Sequence, residues 1–149
     1  NYSKIKEISS KNKRTIPLLK DLLKISKNKY LLFIELKPSF SKKLLKKLLK
    51  ETSKYPKCVF ISFKHKNIYN LLKIKSNTKV GLSFSNSTSA KMVIKKSSNK
   101  QIDYLILDKF FLKNKNIQNL KIKKYYYTIK TKLEFNKYKK KNNLIFENL

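Results

Sequence analysis

Glycine is almost missing from this 149-residue chain; Gly81 is the only one. Glycine-built phosphate loops are therefore excluded, because they need several positions where no Cβ blocks the approach of a phosphate. Cys58 is the only cysteine, which rules out an internal disulfide and a cysteine zinc cluster. It stands at the head of an apolar run and reads as a small core residue. His65, the only histidine, reads as a helix-start or surface residue. No apolar run approaches the length of a membrane span. The first ten residues show no signal-peptide pattern, and the chain does not begin with Met. Either the start was processed or the sequence is a piece of something longer.

Acidic residues are also scarce, eight against 38 basic ones, for a net charge of +30. Such a balance suggests attraction to phosphates. Of the basic residues only Arg14 is arginine, however, and arginine is the usual choice for planar, stacked recognition of nucleic acids. The lysines run along the whole chain among many Asn and Ile residues, as an A/T-rich coding sequence would produce. Non-specific, salt-sensitive polyanion binding is what this charge predicts. Apolar residues make up 40% of the chain, enough for a core and too many for a disordered polymer.

The apolar residues fall in short runs: Leu31 to Ile34, Val59 to Ile61, Val80 to Phe84, Tyr104 to Leu107, Tyr125 to Ile129 and Leu144 to Phe146. Most are continuous rather than alternating, as in strands covered on both faces. Helical spacing appears between them. Leu44, Leu45, Leu48 and Leu49 form a stripe within 41–51, Ile68, Leu71 and Leu72 form another, and Met92, Val93 and Ile94 mark a third. Thr131 is placed to cap a helix beginning near Leu133. Ahead of the first strand, Ile16 to Leu23 predicts a helix with Pro17 in its first turn. Repeated strand–helix units predict an α/β fold with parallel strands. A full eight-stranded barrel takes roughly 250 residues, so these six strands amount to about three-quarters of one.

In a barrel the chemistry gathers at the carboxyl ends of the strands. Glu35, Asp108 and Glu147 each follow a strand run directly, whereas Glu7, Asp21, Glu51 and Glu134 fall on helices or loops and Asp103 opens a strand. Lys37 lies two residues past Glu35, on the same side of an extended chain. A carboxylate and an ammonium so placed can hold a cation beside a phosphate oxygen, or can close the strand as an ion pair. The lysine-rich helix at 42–50 is expected on the barrel wall rather than on a membrane. Lys123 to Tyr127 is expected in the core rather than on single-stranded nucleic acid, and Lys139 to Lys141 at a solvated helix end.

The run Leu32-Phe33-Ile34-Glu35-Leu36-Lys37-Pro38 resembles the third-strand signature of the glycerophosphodiester phosphodiesterase family, a hydrophobic strand ending in Glu-hydrophobic-Lys. The likeness continues on both sides. Tyr2 to Ser9 and then Ile16 to Leu23 resemble the family's lead-in and its Ile-Pro-x-Leu helix. Val59 to Phe63 resembles the fourth strand and Lys79 to Leu82 the fifth. Tyr127-Thr128-Ile129-Lys130 stands where the family has Trp-Thr-Val-Asn, and Leu144 to Asn148 resembles its closing strand.

The resemblance implies one domain over 1–149, an incomplete (β/α)8 barrel lacking its first two strands. It implies a metal-dependent phosphoric diester hydrolase that cleaves glycerophosphodiesters to glycerol 3-phosphate and an alcohol. It makes Glu35 a ligand of a divalent cation, Ca²⁺ or Mg²⁺, Lys37 a contact of the substrate phosphate, and Tyr127 part of the substrate wall. The family's His-Arg-Gly, Glu-Asn-Thr, Glu-x-Asp and second histidine precede this region and do not occur here. Lys130 and Glu147 also differ from the family pattern. The segment alone is therefore expected to be inactive. Two alternatives come from other classes: a basic RNA- or ribosome-associated α/β protein, and a barrel relic serving as a binding scaffold. Any export signal would lie upstream, with the cytoplasm favoured.

Overall fold

The computed structural model describes residues 16–147 together with Ser3 and Glu7. Apart from those two residues, the expected lead-in at Tyr2 to Ser9 lies outside the described residues, as does Asn148. Six strands form one sheet: β1 (Leu32–Glu35), β2 (Cys58–Ser62), β3 (Val80–Phe84), β4 (Tyr104–Asp108), β5 (Lys123–Ile129) and β6 (Asn143–Phe146). They stand in chain order and every neighbouring pair is parallel. Parallel neighbours need a crossover, and each gap supplies one. Helix α1 (Leu19–Ser26) precedes β1, while α2 (Lys42–Glu51), α3 (His65–Ile74) and α4 (Ala90–Ser97) follow β1, β2 and β3. A 3₁₀ turn (Lys109–Lys113) and the short α5 (Lys115–Gln118) follow β4, and α6 (Lys132–Tyr138) follows β5. Among the described residues no helix is long and apolar enough to cross a membrane.

Local chemistry sets the helix starts. The hydroxyls of Ser41, Ser89 and Thr131 accept from the third backbone N–H beyond them, at Leu44, Met92 and Glu134. Pro17 departs from expectation. Leu18 takes extended angles and caps the helix, so the first turn begins at Leu19 and Pro17 lies outside it. The apolar stripes are also narrower than their spacing suggests. Leu45, Leu48 and Val93 are buried, but Leu44, Met92 and Leu133 are exposed.

The sheet is curled. β1 and β5 are four strands apart, about 19 Å in a flat sheet. The rings of Phe33 on β1 and Tyr125 on β5 nevertheless meet edge to face with centroids 4.8 Å apart, and Phe33 also meets Tyr104 at 5.6 Å. Curling divides the strand residues into two sets by parity. Phe60, Val80, Leu82, Leu105, Leu107 and Tyr126 face the helices and pack with Leu45, Ile68, Leu71 and Val93. Val59, Ile61, Tyr104 and Ile106 face the concave side, with Phe33, Tyr125, Tyr127 and Ile145 against them. Gly81 belongs to this inner set. A Cβ there would sit 3.1 Å from the Tyr104 carbonyl oxygen and 3.2 Å from Ile61 Cγ2, a tight fit that glycine relieves as β3 approaches its neighbours. The outcome is an incomplete (β/α)8-type barrel, a half-barrel of six staves.

Candidate functional site

The strands all end at one rim, and inward parity decides which side chains reach it. Glu35 closes β1 two residues after the inward Phe33, and it is exposed rather than turned under the helices. Asp108 closes β4 and pairs in register with Tyr127 on β5. Both carboxylates act on the Tyr127 phenol. Its pKa is pushed up to about 12, first by burial and then by the charges of Asp108 and Glu35. The phenol donates to the Phe84 carbonyl at 2.9 Å, and its ring meets Phe63 edge to face at 5.8 Å. Glu35, Asp108 and Tyr127 are thus brought together at the mouth. Asp108 also caps the 3₁₀ turn, its Oδ1 accepting from Phe110 N at 2.8 Å.

Lys37 lies just beyond β1 and is exposed. Among the described residues no ion pair joins it to Glu35; the ion pair found there links Lys109 to Glu134 at 2.5 Å. The connection carrying Lys37 is held from beneath by one buried amide, Asn67. Its Oδ1 accepts from Phe40 N at 3.0 Å, and its Nδ2 donates to the carbonyls of Leu36 at 3.3 Å and Pro38 at 2.8 Å. Ser62 adds a bond from its hydroxyl to the Leu36 carbonyl at 2.6 Å. Residues 36 to 40 are thereby tied to β2 and α3.

His65 is not a surface residue. It opens α3, half-buried against Phe84 at 4.8 Å. A carbonyl can only accept, so the 2.9 Å contact with the Ser83 oxygen places the ring proton on Nε2. Nδ1 then accepts from Lys96 Nζ at 2.6 Å. Burial, with Lys96 adding to it, lowers the His65 pKa. With both nitrogens engaged, this ring is not free to carry protons at the mouth. Ser83, inward on β3, is buried and its hydroxyl has no partner within hydrogen-bond reach.

Two of these participants had a sequence signal. Asp108 stood at a strand end like Glu35, and Ser83 shared inward parity with Gly81. Nothing local marked Asn67, whose backbone partners at Leu36, Pro38 and Phe40 lie 27 to 31 residues away.

Two solved structures resemble this arrangement over most of the chain. A glycerophosphodiester phosphodiesterase of Thermotoga maritima matches 94% of this chain and 64% of its own, with a TM-score of 0.71 and 15% identity. A protein of Silicibacter pomeroyi DSS-3, assigned as a glycerophosphoryl diester phosphodiesterase, matches 87% of this chain and 52% of its own, with a TM-score of 0.69 and 11% identity. The chain has a glycerophosphodiester phosphodiesterase-like fold. It spans about half of one neighbour and less than two thirds of the other. No family model and no curated protein matches the sequence.

Ca²⁺ and Mg²⁺ need about six or more oxygen ligands. Among the described residues no three His, Cys, Asp or Glu side chains converge to hold a metal ion. At the mouth Glu35 and Asp108 are hard oxygen donors, too few by themselves to make such a shell.

Proposed function

We propose that this chain is the later part of a phosphodiesterase-like domain whose mouth binds a glycerophosphodiester for hydrolysis to glycerol 3-phosphate and an alcohol. The supporting observation is the Glu35 carboxylate, which ends β1 on the inward side, acts on Tyr127 and has no lysine paired to it among the described residues. In this reading Glu35 supplies one ligand to a divalent cation whose other ligands come from strands preceding β1. Lys37, held on its clamped connection, neutralises charge on the phosphate, and Tyr127 walls the substrate. In this reading hydrolysis needs the rest of the barrel, which supplies the remaining metal ligands and the histidines that carry protons. The open sheet and the partial coverage of both neighbours support this division.

The test is made in a chain extended to close the barrel, with a glycerophosphodiester as substrate and a divalent cation supplied. Glu35→Gln should lower turnover about a hundredfold or more, as expected when a charge-stabilising group is removed. Turnover equal to the parent would remove Glu35 from the site. Selective attraction to RNA, the other reading of the charge, has no specific feature to support it here.

A further inference from the structure

Eleven large apolar side chains stand exposed among the described residues, and they are not scattered. Five precede β1, between Ile16 and Leu31. The other six are Leu44, Phe63, Met92, Phe110, Leu133 and Phe146, with exposures from 43% at Met92 to 82% at Leu133. Every strand contributes one, either at its own carboxyl end or in the segment that follows. Leu44, Met92 and Leu133 lie in the first turns of α2, α4 and α6; Phe63 follows β2, Phe110 lies in the 3₁₀ turn after β4, and Phe146 ends β6. Of the connections at the opposite rim, the segment leading into β1 carries Tyr30 and Leu31, while those at 52–57, 75–79, 98–103, 119–122 and 139–142 carry none. Singly exposed apolar residues are ordinary; one for every strand along the same rim is not.

Charge decides what kind of partner this rim fits. Five of the six have a lysine as chain neighbour: Lys43, Lys64, Lys91, Lys109 and Lys132. Of these, Lys109 is paired with Glu134. Lysine covers the chain generally, so the +30 charge supplies attraction to an anionic surface without direction. The apolar side chains supply the direction, since this rim carries six of them, one for each strand, against Tyr30 and Leu31 at the opposite rim.

We infer that the mouth rim is a docking surface for an anionic phospholipid bilayer, with Phe110, Leu133 and Phe146 entering the interface and the flanking lysines meeting lipid phosphates. The chain then sits with its strand ends facing the headgroups. Docking is measured without any turnover, so it stands or falls apart from the phosphodiesterase reading.

The test is co-sedimentation of the 149-residue chain with phosphatidylcholine vesicles, alone and with phosphatidylglycerol added. Binding is expected only with the anionic lipid, and part of it should survive salt that screens purely ionic adsorption. A variant carrying Phe110→Ser, Leu133→Ser and Phe146→Ser should lose about tenfold or more in partitioning, whereas Leu22→Ser with Ile25→Ser should bind as the parent does. All five positions are exposed, and circular dichroism checks that each variant is folded. Failure of the parent chain to bind overturns the inference. So does undiminished binding by the three-site variant, which would leave charge alone. A parallel loss of single-stranded oligonucleotide binding in that variant would make the rim a nucleic-acid face and overturn it as well.

Discussion

The two faces of the sheet are built from different materials. The face toward the helices is closely filled and mainly aliphatic, with Val80, Leu82, Leu105 and Leu107 at 0% exposure beside Ile68 and Leu71 and with Phe60, Phe84 and Tyr126 buried among them. The concave face is aromatic and uneven: Phe33, Tyr104, Tyr125 and Tyr127 share it with Gly81 and with the unpartnered Ser83 hydroxyl. The first layer holds the fold together. The second gives up packing for shape and polarity near the rim, as a face that leads to a site does.

The comparison breaks first on the helix side. Leu105→Ala should cost about 2 to 5 kcal/mol, because the close-packed layer cannot collapse around the gap. Denaturant titration measures it, and a loss well under a kilocalorie would mean the layer is looser than its burial indicates. Gly81→Ala attacks the other face by overfilling it. The new methyl presses on the Tyr104 carbonyl oxygen, which must shift by a few tenths of an ångström, for a loss of about 1 to 3 kcal/mol in the same assay. Parent-like stability there would show that β3 and β4 can separate.

Ser83→Ala should carry the opposite sign. Removing a buried hydroxyl that lacks a partner should raise stability by about 1 kcal/mol, visible as a higher melting temperature. A lower one would reveal a bond the hydroxyl makes. The smallest effect concerns pH. Burial and Lys96 hold His65 below its ordinary 6.5, so the unfolded chain takes up the proton more readily. The stability it contributes is complete above that value and fades as pH falls through the lowered one. Melting temperature on the acid side of neutrality should therefore drop more steeply for the parent than for His65→Gln, and parallel curves would uncouple His65 from folding.

Much of the fold was legible because strands covered on both faces leave continuous apolar runs; β2 and β3 are buried throughout and β4 as far as Leu107. Curvature was not legible, since nothing in the periodicity places Phe33 against Tyr125. Glu35 was marked by its place at a strand end. Tyr127 was marked only as an aromatic, because the carbonyl its hydroxyl meets lies 43 residues earlier. The apolar stripes misled at Leu44 and Leu133, where helical spacing records which side chains share a face and not how wide the core beneath them is. Of the two readings of His65, the helix start held and the surface did not, because both of its partners, Ser83 and Lys96, come from other units of the repeat.

The Asn67 amide bears on how a ligand would be received. By gripping both ends of the segment from Leu36 to Phe40, it removes much of the conformational freedom that loop would otherwise surrender on association. A visitor to Lys37 meets a geometry already set, and more of each contact it makes survives as net affinity.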